Sequence, residues 1–308
     1  MYFFSKNPHY INNYFSFLLA LLPLSFIAGN LIININVLII ILSAIIIFKK
    51  DLFKLKFYLL DKSIFLLFLI ILISGIYNGI YFTITDSYPE GFKTSLKSLM
   101  FLKYLFFYIV IRFLTEKNIF NLKLFFLSCF ICTTFVSLDI FYQFIYGKDI
   151  FGIETVGGGR RLSGPFSDEL IAGSYLQRFS IFSFFLLPFF FLNYSKKLSK
   201  YLTPILFIIF FTGLILSGNR MPMVLFIFTI SLIVLFHKQT RKYLIYFVII
   251  FSIIFYTIYN SNNEFKNNFN NFYYQISNMV ILVINKDFNN PKSPQYLREF
   301  ASFYDTWL

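Results

Sequence analysis

Charge is scarce in this chain. Only 13% of its 308 residues are Asp, Glu, Lys or Arg, where a soluble domain carries roughly a quarter. Hydrophobic residues make up 58%, and mean hydropathy is +0.70. A soluble globular domain is therefore excluded. Cysteine is also rare. Cys129 and Cys132 form a C-x-x-C, but it sits inside the apolar run Leu124 to Tyr146. Thiol redox chemistry needs solvent access and a zinc site needs more ligands. The two histidines, His9 and His237, have no carboxylate or cysteine partner nearby in sequence, so no metal site is expected. No internal repeat or low-complexity linker is evident, and the first apolar run is expected to stay as a span and not to be cleaved as a signal. Acids are outnumbered by bases, giving a net charge of +13. The bases fall in short clusters between apolar runs, so membrane topology accounts for them and no nucleic-acid partner is expected.

What the chain has is apolar length. A run of about 18 or more apolar residues can cross the hydrocarbon core of a bilayer. By that criterion about nine spans are expected, near 14–30, 32–48, 63–80, 98–114, 124–145, 171–192, 202–217, 222–236 and 244–259. The fold class is all-α, a polytopic transmembrane helical bundle. The 47 Phe residues read as lipid-facing filler of an AT-rich genome. Orientation follows from Lys and Arg in short loops. With a cytoplasmic N-terminus, the clusters Lys49 to Lys62, Lys117 with Lys123, Lys196 to Lys200, and Lys238 to Lys242 fall inside. The loops 81–97 and 146–170, the turn at Asn219-Arg220 and the tail from Asn260 fall outside with most of the acids. Two regions result: a transmembrane domain, 1–259, and a periplasmic segment, 260–308. In the latter, Tyr296, Phe300, Phe303 and Trp307 share one face of a short amphipathic outer helix suited to the interface.

Polar residues inside such a bundle are costly, so they mark candidate sites. The loop before the sixth span reads Gly157-Gly-Gly-Arg-Arg161-Leu-Ser-Gly-Pro-Phe166-Ser-Asp-Glu169. Arg160 and Arg161 either meet lipid headgroups or grip an anion, since guanidinium forks match phosphate oxygens. The glycines are not a P-loop, because no Gly-Lys-Ser/Thr follows. Arg178 lies about two turns into the sixth span, free to snorkel or to pair with Asp139 in the fifth. Leu216-Ser-Gly-Asn-Arg220-Met-Pro222 joins two spans almost without a loop. It places Arg220 at a helix N-terminus, either an ordinary tight turn or a phosphate site. Lys103, inside the fourth span, is a further candidate cation. Gly75-x-x-x-Gly79 is a possible helix-packing motif.

Two of these segments resemble the O-antigen ligase and O-antigen polymerase superfamily of bacterial envelope enzymes. Arg161-Leu-Ser-Gly-Pro-Phe166, followed by Asp168-Glu-Leu-Ile-Ala-Gly173 and a span, is similar to the family's Arg-x-x-Gly-x-Phe segment. Leu216-Ser-Gly-Asn-Arg220 is similar to its Ser-Arg segment, with Asn219 standing before the arginine. The resemblance implies transfer or polymerisation of an undecaprenyl-pyrophosphate-linked glycan at the periplasmic face of the bacterial inner membrane. The acceptor would be lipid A-core or a growing glycan chain. No cofactor is implied. Arg161 and Arg220 match the family positions that stabilise the leaving pyrophosphate, and Arg160, Arg178 and Lys103 are expected to help bind substrate. The family also carries a functional histidine in a large outer loop after the span matching 244–259. This chain ends at Leu308 before any such histidine, so a C-terminally truncated member is expected.

Two other classes compete. A flippase or transporter of lipid-linked oligosaccharide would show repeated halves and broken helices, and neither is visible in the sequence. A non-catalytic membrane subunit would not need the arginines for surface glycan.

Overall fold

The computed structural model describes residues 8–84, 91–155, 161–191, 196–236, 244–261 and 263–284. They form ten α-helices: α1 (Pro8–Ile27), α2 (Asn30–Phe48), α3 (Leu59–Ile84), α4 (Gly91–Glu116), α5 (Leu122–Tyr146), α6 (Ala172–Phe191), α7 (Lys196–Leu216), α8 (Arg220–Phe236), α9 (Leu244–Ser261) and α10 (Asn263–Ile284). Short 3₁₀ turns follow α2 (Lys49–Lys54) and precede α6 (Gly164–Phe166). Among the described residues the sole β-type pairing is one bridge, Lys148 to Glu154.

Each apolar run read from the sequence forms a helix, α1 to α9. Five are long and apolar enough to cross a membrane: His9–Ile27, Asn30–Phe48, Leu59–Tyr81, Phe92–Glu116 and Leu122–Tyr146. Pro204–Leu216 and Arg220–Ile233 are apolar but shorter. A helix suits this composition because it satisfies its own backbone, which hydrocarbon cannot do. The surface agrees, since Leu66, Leu69, Ile73 and Tyr77 all stand exposed on α3. Such a continuous apolar surface suits a helix whose outer face meets lipid.

Two larger cores and a small third one around Leu206 and Phe210 hold the helices together. The first lies between α1, α2 and α4 and contains Phe15, Leu18, Ile40, Ala44 and Leu114. Here Asn36 of α2 donates to Leu18 O (3.3 Å) and Ser25 Oγ (3.0 Å) on α1. Pro23 lacks an amide hydrogen, so this turn of α1 is short of one backbone bond, and Asn36 fastens α2 beside it. The second core joins α5, α6, α7 and α8 through Val136, Ile140, Leu176, Phe211, Leu214 and Phe226. The rings of Phe207, Phe211 and Phe226 stack with centroids 5.4 to 6.3 Å apart. Phe15, Phe210, Phe211 and Phe226 are fully buried. These phenylalanines are core, not lipid-facing filler, because flat rings fill the gaps between closely packed helices.

Helices α3 and α4 pair closely. Gly75 faces Ser98 so tightly that a Cβ there would overlap the serine side chain, and Ser95 Oγ donates to Gly75 O (3.4 Å). The Gly75-x-x-x-Gly79 segment thus contributes a small residue to a helix contact. At the opposite end of the pair, Asp61 is buried and Arg112 donates to its Oδ1, as does the Tyr108 hydroxyl. Asp61 Oδ2 accepts from Tyr58 N (2.6 Å), and Arg112 also donates to Lys56 O (3.2 Å) and lies 5.1 Å over the Tyr58 ring.

The tail contains a helix that was not read from the sequence. Residues 263–284, Asn-rich at their start, form α10, which returns along α9 with Phe269 against Phe255 and Tyr259. The stretch Tyr296 to Trp307 lies outside the described residues.

Breaking the Asp61 cluster should be costly, since a buried carboxylate would lose its counter-charge. Arg112→Ala is expected to lower the melting temperature of the detergent-purified protein, and Arg112→Lys to restore it partly, because a point charge cannot reproduce the guanidinium fork. Equal melting of wild type and Arg112→Ala would remove this role.

Candidate functional site

The loop entering α6 is drawn into the bundle by its own sequence. Arg161 is exposed, but Leu162 to Phe166 are buried behind it. A buried loop leaves backbone groups without water, so a side chain must serve them. Gln143 of α5, 1% exposed, does this. Its Oε1 accepts from Gly164 N (2.9 Å), and its Nε2 donates to Ser163 Oγ (3.3 Å). Gly164 adopts φ +55°, a left-handed conformation that glycine takes without steric cost. Its missing side chain also lets Ile140 approach. Phe166 then packs on Tyr175 (5.3 Å between centroids), and the Tyr175 hydroxyl donates to Pro23 O of α1 (3.0 Å).

The turn between α7 and α8 is equally tight. Gly218 at φ +67° reverses the chain, and its N–H donates to Ile215 O (3.0 Å). Arg220 is the first residue of α8 and is half-buried. Ser217 is fully buried, with its hydroxyl on Leu214 O (2.7 Å).

These two segments, some fifty residues apart in the chain, meet. Asn219 Nδ2 donates to Leu170 O (3.1 Å). Gly173, in the first turn of α6, lies against Ser217 Oγ and Asn219, whose Cβ would stand 2.7 Å from a Cβ on the glycine. Asn219, the residue that departs from the Ser-Arg pattern, is therefore the staple between the two motifs. Arg220 opens α8 directly after Asn219, and Arg161 lies exposed earlier in the loop that leads to Leu170.

The remaining candidates are placed differently. Arg178 is exposed on α6 and has no ion pair among the described residues. Its expected partner, Asp139, is buried, and its Oδ1 accepts from Ile150 N (2.8 Å) in the loop after α5. The structure does not pair the two, because Asp139 anchors that loop. Lys103 Nζ donates to Asn34 Oδ1 of α2 (2.6 Å) and lies 5.0 Å over the Tyr104 ring, so it is not gathered with the two motifs. Arg160 lies outside the described residues. Cys129 and Cys132 are buried free thiols, and no group of three or more metal-ligating side chains comes together among the described residues. Sequence reasoning passed over Gln143 and gave Asn219 no role. A glutamine inside an apolar run was a readable signal, whereas a lone turn asparagine was not.

Asp149 shares the Asp139 neighbourhood. Its Oδ1 accepts from Ile153 N (2.7 Å), and Oδ2 of each aspartate is buried without a partner among the described residues. Ten helices, five of them long and apolar enough to span a bilayer, define a multi-pass helical membrane protein. No family model, curated protein or solved structure matches the chain.

Two tests follow from the packing. Gly173→Val should force α6 from the α7–α8 turn and cost about 1–3 kcal/mol, as overpacking does. An unchanged thermal midpoint would refute the close contact. Asp139→Asn should leave stability unchanged or raised, because the amide keeps an acceptor for Ile150 N and removes a buried charge. Asp139→Ala should lower it by about 1–3 kcal/mol, the cost of orphaning a buried amide. Thermal unfolding of the two variants separates them, and equal loss in both would mean that the charge itself is needed.

Proposed function

We propose that this protein is a glycan ligase or polymerase of the bacterial inner membrane. It crosses the membrane nine times from a cytoplasmic N-terminus and acts on an undecaprenyl-pyrophosphate-linked glycan at the periplasmic face. The observation that carries the reading is the junction of the two arginine-bearing segments. Leu170 and Gly173 of one touch Asn219 and Ser217 of the other, and the two segments are those that resemble the O-antigen ligase and polymerase superfamily.

The chemistry suits such a junction. An acceptor hydroxyl oxygen forms a bond to the anomeric carbon, and the bond from that carbon to the pyrophosphate oxygen breaks. The electron pair leaves with the pyrophosphate, and the hydroxyl proton passes to a base. Charge grows on the leaving oxygen, where fixed cations in a water-poor site are most effective. Arg161 and Arg220 take this role. The N-terminus of α8 adds its partial positive charge beside Arg220. On this reading Arg178, exposed five residues after Gly173 on α6, and Arg160, beside Arg161 in sequence, help hold the carrier lipid's phosphates. Lys103, engaged with Asn34, is the weakest of the substrate-binding candidates. Acceptors on this reading are lipid A-core or a growing glycan chain.

The test is genetic and biochemical. Deleting the gene in its native bacterium should shorten or abolish long surface glycan on a lipopolysaccharide gel, and the wild-type gene should restore it. Arg161→Ala and Arg220→Ala, at normal protein level by immunoblot, should each restore at least about 100-fold less, the scale of losing one charge-stabilising donor. Full glycan in the deletion strain, or full restoration by both variants, would overturn the reading.

A further inference from the structure

Helix α3 is the least covered of the long apolar helices, with only 6% of its most apolar stretch buried. Its main neighbour is α4, and the two run antiparallel, with Gly75 opposite Ser98 and Phe68 opposite Phe101 (5.5 Å between centroids). Beside this contact the pair leaves a groove of about 430 Å³, lined by Ile70, Ile71, Ser74, Thr94, Lys97 and Phe101.

The groove is sorted by polarity. Ser74, Thr94 and Lys97 lie toward the end of the pair where α3 connects to α4. Ile71 and Phe101 lie one turn deeper. None of the two hydroxyls and the ammonium has a hydrogen-bond or ion-pair partner among the described residues. Hydroxyls on a helix commonly bond back to the carbonyl four residues earlier. Ser63, Thr115, Thr229 and Thr257 all do so here. Lys97 stands about 9 Å along α4 from Gly91, by helical rise. A lysine at that depth keeps its charge near the headgroup layer and lays its stem along the apolar wall.

We propose that this groove binds an anionic phospholipid, with the phosphate on Lys97, Ser74 and Thr94 and one acyl chain against Ile71 and Phe101. A cation and two open donors complement a phosphate, which has only acceptors. Among the described residues no carboxylate lines the groove to oppose it. The wall below is apolar and faces the bilayer, so the occupant is amphipathic. The site is separate from the junction of the two arginine-bearing segments, and the proposal rests on the membrane-crossing helices and not on glycan transfer.

Native mass spectrometry of the full chain, titrated with palmitoyl-oleoyl phosphatidylglycerol or the matching phosphatidylcholine, tests it. Wild type should retain the anionic lipid about fivefold better, the scale of one lysine near an anionic headgroup. Lys97→Gln should abolish that preference without reducing phosphatidylcholine adducts, and Lys97→Arg should keep it. Ile71→Trp, which fills the groove, should reduce adducts of both lipids. Lys62→Gln, an exposed lysine outside the groove, should change nothing. Equal retention of the two lipids by wild type would overturn the proposal. So would an effect of Lys62→Gln matching that of Lys97→Gln, because the preference would then be bulk charge.

Discussion

Hydrocarbon offers no hydrogen bonds, so every backbone amide and carbonyl at membrane depth must find its partner inside the protein. Helices meet that demand along their length and fail it where they end, kink or give way to loop. At several such places a polar side chain stands in for the missing backbone. Gln143 serves Gly164, Asp139 serves Ile150 and Asn219 serves Leu170. The few polar residues within the apolar runs are therefore mostly structural fasteners. Their placement decides which loops fold inward, and so where the exposed arginines stand.

The same constraint explains what was legible in the sequence. Apolar runs of spanning length leave the chain no other conformation, so α1 to α9 were readable run by run. The close approach at Gly75 was readable because small residues four apart mark a shared face. The two arginine-bearing segments were recognisable each by itself, but not their contact. Nothing local couples Asn219 to Leu170, and only the packing of α6 on the α7–α8 turn brings them together. Asp139 drew the wrong partner because charge suggested Arg178, whereas the nearer demand came from a backbone amide. The ion pair of Asp61 with Arg112 spans fifty residues and was invisible for the same reason. Helix α10 was missed because asparagine has poor helix propensity. Its aromatic contact with α9, through Phe269, outweighs that preference.

Phenylalanine shows a related division. Where a helix has neighbours on several sides, as α7 does, Phe210 and Phe211 are fully enclosed. Where it has essentially one, as α3 does, apolar side chains face outward along much of its length. Composition cannot distinguish these cases, because a buried ring and a lipid-facing ring satisfy the same hydrophobic requirement. Only the number of neighbouring helices separates them, and that number follows from topology.

The bond from Tyr175 to Pro23 O has a consequence for biogenesis. It joins the first helix to the sixth, across 152 residues of chain. Ser16 likewise receives the Asn121 amide from a segment 105 residues later. A ribosome delivers α1 and α2 long before these partners exist. The opening hairpin therefore enters the membrane before two of its long-range bonding partners have been made. Its final seating waits on synthesis of α6, so the loop that carries Arg161 is shaped only after the amino-terminal half is in place.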